Sequence, residues 1–120
     1  MADHRAGFDR LLAVWAGRAE LGTLDALVAP GYRGHIGSRD RDLARLKADV
    51  VAYRHAAPGV VFRIEHQFGD GDYIASRLTA FSRDAVTGAP MTACGLNISR
   101  WEGEALAEEW AVWEPLSASR

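Results

Sequence analysis

Few side chains in this 120-residue chain are equipped for chemistry, and the most suggestive lie near its end. Residues 94–113, CGLNISRWEGEALAEEWAVW, read as two strands joined by a tight polar turn at Glu102-Gly103-Glu104. Asn97 and Ser99 alternate on the first strand, and Glu109 alternates with Ala107, Ala111 and Trp113 on the second. A carboxyl walled by apolar groups is suited to general-base work, whereas one paired with a cation such as Arg77, or set at a solvated mouth, is a poor base. Both readings are open for Glu109. His35, at the end of an earlier strand, is the histidine best placed for a cavity, where it either carries a proton or is held by loop backbone. His4, His55 and His66 read as surface residues. No histidine pair has the spacing of a metal site, and no nucleophile elbow or phosphate loop is present, so neither a metal nor acyl or phosphoryl transfer is expected.

The composition narrows the field of partners. Fourteen basic and sixteen acidic side chains give a formal charge of −2 with no run of one sign, which argues against nucleic acid or an anionic membrane. With 48 % apolar residues, positions 1–120 are expected to form one domain with a core of its own. The single Cys94 is expected to be a small buried residue, and cytoplasmic residence follows as the expectation. MADHRAGFDR has no apolar signal core, and no apolar run approaches the roughly 20 residues of a membrane span.

The elements that must position these groups follow from hydrophobic period. Phe8, Leu11, Leu12, Trp15 and Ala19 predict a helix over about 4–21, and Thr23 caps a short second one over 24–28. A strand at 32–36 precedes a third helix at about 39–57, capped by Ser38 or Asp40. From residue 60 the period becomes alternating, giving strands at 60–68, 73–82, 91–101 and a last one after the Glu102-Gly103-Glu104 turn. Three early helices and a late antiparallel meander predict an α+β fold, a cone-shaped barrel in which the helices pack on a curved, mostly antiparallel sheet. Such a cone leaves a blind cavity for a small apolar molecule. Trp15, Tyr32, Tyr53, Phe62 and Trp113 are positioned either to floor that cavity or to fill the core. Both sheet faces carry apolar residues, so the face without helices is expected to meet a second copy in a homodimer, with Trp110 pointing to it.

Four segments in order resemble the SnoaL-like polyketide cyclases of the nuclear-transport-factor-two-like superfamily. These are residues 22–35, GTLDALVAPGYRGH; Ala56-Ala57-Pro58-Gly59; residues 71–77, GDYIASR; and Arg100-Trp101-Glu102-Gly103 followed by residues 106–110, LAEEW. The resemblance implies the cone fold and a cavity-facing set of Arg77, Thr79, Asn97, Ser99, Glu109, Ala111 and Trp113. It also exposes departures. Ala111 stands where the aldol cyclases have their acid–base aspartate, and Asn97 where they have a histidine. The epoxide hydrolases' Arg-x-Asp pair reads Arg77-Leu78-Thr79, and neither Thr79 nor Ala111 exchanges protons near neutral pH.

The resemblance therefore implies a cofactor-independent cyclase- or isomerase-type protein for an apolar, polyketide- or terpenoid-like molecule. Glu109 or His35 would move the proton, and Arg77 and Asn97 would polarise an oxygen. Two alternatives stand beside it: a non-catalytic ligand-binding or dimerisation module that lost the aspartate, and an epoxide-hydrolase-like enzyme.

Overall fold

The structure, a computed structural model, describes residues 4–119. Helices α1 (His4–Trp15) and α2 (Thr23–Leu27) lead into strand β1 (Val28–Ile36), the short β2 (Arg39–Arg41) and helix α3 (Leu43–Ala56). Strands β3 (Val61–Asp70), β4 (Tyr73–Arg83), β5 (Pro90–Glu102), β6 (Ala105–Trp113) and β7 (Ser117–Ala118) follow. They form one sheet in the order β2-β1-β6-β5-β4-β3, with β7 on β5. Every pairing is antiparallel except β1 on β6. The result is the α+β cone, with the helices inside the curve. No helix among the described residues is long and apolar enough to cross a membrane.

Helix α1 buries Phe8, Leu11 and Val14 because these recur at helical spacing, and α3 buries Leu46 and Val50. They meet Leu24, Leu27, Ile74, Leu78, Trp101 and Leu106 in one cluster. The first helix ends at Trp15, short of the expected 21, because Gly17 turns to φ +78°. Arg54 then satisfies the freed carbonyls, donating to Val14 O at 2.6 Å and Ala19 O at 2.8 Å. The third helix starts later than expected. Residues 39–41 are drawn into β2 against β1, and Asp42, rather than Ser38 or Asp40, caps α3 by accepting from Arg45 N at 2.9 Å. Strand β1 begins at Val28, four residues before the expected start, since its first residue pairs with Leu106 of β6.

The two hairpins turn where expected, at Gly71-Asp72 and Gly103-Glu104, with both glycines at positive φ. Alternation assigns the faces. Ile74, Ser76, Leu78 and Ala80 of β4 point inward, so Arg77 and Thr79 point outward, which corrects their expected place in the cavity. A bulge between Ile64 and His66 adds Glu65 to the outer face, where its carboxylate accepts from Thr79 Oγ1 at 2.8 Å and from Arg63 at 2.7 Å. Arg77 lies 3.3 Å from His66 Nδ1 on the same surface. Cys94 is exposed rather than buried, because its neighbours Ala93 and Gly95 take the inward parity of β5. On that inner side the Trp113 indole lies against Gly95, where a Cβ would stand 2.2 Å from the ring.

Removing the cap of α3 should be measurable. Asp42→Ala is expected to cost about 1 kcal/mol, read as a lower urea midpoint at unchanged m-value; an unchanged midpoint would mean that packing of Leu46 and Val50 alone fixes the helix start.

Candidate functional site

A cavity of about 550 Å³ opens between α1, α3 and the inner face of the sheet, within the size range of small-molecule sites. Two helical stripes form one side, Phe8, Leu11, Leu12 and Trp15 from α1 and Asp49, Ala52, Tyr53 and Ala56 from α3, each at i, i+3, i+4, i+7. The sheet supplies Asn97, Glu109, Ala111 and Trp113. Aromatic rings run along the wall in contact: Trp15 edge-on to Tyr53 at 5.5 Å, Tyr53 stacked on Phe62 at 6.1 Å, and Phe62 edge-on to Trp113 at 6.0 Å. Burial pushes the Tyr53 hydroxyl up to about 12, so it stays a hydrogen-bond donor through neutral pH.

One end of the cavity is built around Glu109, which is 1 % exposed. Its Oε2 accepts from Tyr32 Oη at 2.5 Å and from Arg41 Nη2 at 3.1 Å, and its Oε1 accepts from Asn97 Nδ2 at 2.9 Å. Arg41 also reaches Tyr32 Oη at 3.1 Å and Asp49 Oδ2 at 3.2 Å, and its guanidinium lies 5.4 Å from the Trp15 ring centre. Backbone register explains how the pair meets. Gly34 of β1 pairs with Arg41 on one side and Glu109 on the other, so the three stand in one row across β2, β1 and β6. A Cβ at Gly34 would fall 2.5 Å from Tyr32 Oη and 2.9 Å from Arg41, so the bare glycine is what lets the side chains cross. Burial works against the Arg41 charge, but Glu109 and Tyr32 outweigh it and hold the guanidinium protonated; burial, then the Glu109 charge, push the Tyr32 hydroxyl up and keep it a donor. Asn97 Oδ1 is buried without a hydrogen-bond partner among the described residues.

The structure divides the expected site residues. Trp15, Tyr53, Phe62, Asn97, Glu109, Ala111 and Trp113 line the cavity; Tyr32 stands behind it as support for Glu109, while Arg77, Thr79 and His35 face outward. His35 bonds neither cavity nor loop backbone. Its Nε2 lies 2.7 Å from Glu108 and its Nδ1 2.8 Å from Asp40, with the ring stacked on Trp110 at 5.5 Å. Arg100 reaches the other Glu108 oxygen at 3.3 Å. Sequence reasoning missed Arg41 and Asp49. The signal for Asp49 was its place four residues before Tyr53 on one helix face, while Arg41 depends on a three-residue strand without an apolar pattern. Among the described residues, no three of His, Cys, Asp or Glu cluster in a way that could hold a metal ion.

Fold and site together define a cone-shaped α+β pocket protein, its apolar cavity closed at one end by a buried ion pair. The chain belongs to the SnoaL-like polyketide cyclase family, whose sequence profile matches residues 8–120. Among solved structures it is similar to a provisionally assigned polyketide cyclase from Acidithiobacillus ferrooxidans, with 22 % identity, TM-score 0.81, and 94 % of this chain and 89 % of that one covered. IdmH from Streptomyces antibioticus, also provisionally assigned as a polyketide cyclase, shows 20 % identity and TM-score 0.83 over 94 % and 93 % of the chains. AclR from Streptomyces galilaeus, provisionally a hydroxylase, shows 16 % identity and TM-score 0.77 over 93 % and 77 %. At these identities the likeness shows the fold. No curated protein matches the sequence.

The outer-face histidine sets a pH dependence. The Glu108 and Asp40 hydrogen bonds raise His35 above its ordinary value of 6.5, so its contribution is full below that pH and is lost as pH rises through the folded value. His35, then Arg100, lower Glu108 below 4.5, so its contribution is present above that pH and is lost as pH falls through the lower folded value. His35→Asn should therefore cost most stability at about pH 5–6 and least near pH 9. Thermal melts of both proteins across that range check it, and a cost that grows with pH would contradict the assignment.

Proposed function

We propose that this protein binds a largely apolar, polyketide- or terpenoid-like molecule in the cavity and moves a proton on it without a cofactor, as a cyclase- or isomerase-type enzyme. The observation that carries the reading is Glu109, a carboxylate sunk at the polar end of an otherwise apolar and aromatic cavity. Of its roughly four lone-pair sites three are occupied, and the remaining one is on Oε1, which accepts only from Asn97. That oxygen, the one Arg41 does not touch, takes a proton from carbon next to a substrate carbonyl and returns it as the product forms. The Tyr53 hydroxyl donates to the oxygen on which charge develops, and Arg41 and Tyr32 hold the carboxylate still. His35 and Arg77, facing the other way, have no part in this step. Family membership supports the class of molecule, and the single cysteine supports cytoplasmic residence.

A second reading, a ligand-binding module without turnover, is favoured by Ala111 at the position of the cyclases' aspartate and by the ion pairing of Glu109 with Arg41. Ring opening of 5-nitrobenzisoxazole, which needs only a base beside an apolar site, separates the two. The native protein should accelerate it above buffer, and Glu109→Gln should lower that rate roughly 10²- to 10⁴-fold. An unaltered rate would remove Glu109 as proton carrier, and no acceleration by the native protein would favour the binding module.

The same proposal includes a homodimer through the outer sheet face. Leu96 (59 % exposed), Val112 (64 %), Ile98 and Trp110 stand side by side there around a concavity of about 410 Å³. Trp110 stacks between His35 and Tyr73, at 5.5 and 6.4 Å, which holds the indole ready for contact. Trp110→Ala should weaken association by about 2 kcal/mol or more, measured by sedimentation equilibrium; a native monomer at micromolar concentration would overturn the dimer.

A further inference from the structure

We infer that Asp49 determines ligand specificity, by accepting a hydrogen bond from a hydroxyl on the molecule in the cavity. Asp49 lies on the cavity stripe of α3, one turn before Tyr53, and nothing in the family resemblance gives it a role. Its Oδ2 is engaged, 3.2 Å from Arg41 Nη1 and 3.6 Å from Arg39 Nη2. The hydrogen bond and ion pairs that Asp49 makes among the described residues all run through Oδ2, and the side chain keeps 18 % exposure. The two arginines thus fix the carboxylate in place and leave one charged oxygen open. Glu109 is the opposite case, buried and with three of its acceptor sites filled.

A second observation comes from the sheet side of the same cavity. Asn97 Oδ1 is an acceptor, buried and unpartnered, on a residue that also lines the cavity. A buried acceptor left without a donor is costly, and the donors that line the cavity, Arg39, Arg41 and Tyr53, are not bonded to it. A hydrocarbon, an ether or a ketone brings none. An alcohol, phenol or enol brings one, and an ionised acceptor makes that hydrogen bond stronger than a neutral one would. The ligand class is therefore an apolar ring system carrying a hydroxyl on the side that faces α3. Tyr53, one turn along the helix, offers the complementary donor for an oxygen elsewhere on the ligand.

The inference rests on the cavity being a ligand site, so the test separates the two. Two probes with the same ring system are 2-naphthol and 2-methoxynaphthalene, in which a methyl group replaces the donor hydrogen. Their binding is followed by quenching of the cavity tryptophans. The native protein should bind 2-naphthol roughly tenfold or more tightly than the ether. In the D49N variant the amide oxygen turns to the arginines and the nitrogen to the cavity, so the preference should fall to near unity, with the melting temperature reporting that the fold persists. If the native protein binds both probes equally, or D49N keeps the preference, Asp49 does not read the hydroxyl although the cavity still binds. If neither probe binds, the cavity reading itself fails.

Discussion

The arrangement of this fold depends on keeping the Glu109 and Arg41 charges together out of water. Each buried ion costs several kcal/mol to desolvate, and only close geometry with further hydrogen bonds offsets that. The surrounding structure supplies both. Parallel pairing of β1 with β6 brings Gly34 beside Glu109, antiparallel pairing of β2 with β1 brings Arg41 to the other side of the same glycine, and Tyr32 closes the group from below. Asn97 and Asp49 then occupy the outer valences of the pair. A short strand with no apolar residues, β2, is thereby tied to the centre of the protein by a charge rather than by hydrophobic contact.

The sheet serves two purposes through its period of two. On β6, Glu109, Ala111 and Trp113 face the helices while Glu108, Trp110 and Val112 face away. Adjacent carboxylates on one strand consequently live in unlike surroundings. Glu109 is held by a buried guanidinium and a phenol, and Glu108 by a half-exposed imidazole and Arg100. The inner row lines the cavity, and the outer row forms the open face of the sheet.

Much of the architecture was legible in the sequence because the helices and hairpins are local. The stripe of Phe8, Leu11, Leu12 and Trp15 and the turns at Gly71 and Gly103 need no knowledge of the rest of the chain. What escaped was non-local or charged. Parallel pairing of Gly34 with Glu109 spans 75 residues, and the Arg-Asp-Arg of β2 has no alternation to betray a strand. The face of β4 was legible but was overridden. Ile74, Leu78 and Ala80 alternate as an inner row should, yet the likeness of Arg77 and Thr79 to a hydrolase pair placed those two residues inside. Sequence pattern named Glu109 and the aromatic residues that line the cavity but not Arg41 beside them, since a buried cation leaves no trace in hydrophobic period.

The contact between Trp113 and Gly95 has a consequence for what the cavity can admit. The indole rests flat on the sheet only because position 95 carries no side chain. One added methyl would lift it off that floor and towards Phe62, so headroom for a ligand and the seating of the aromatic wall are governed by the same spot. The clearance at this end of the cavity is a property of the backbone strand beneath the ring.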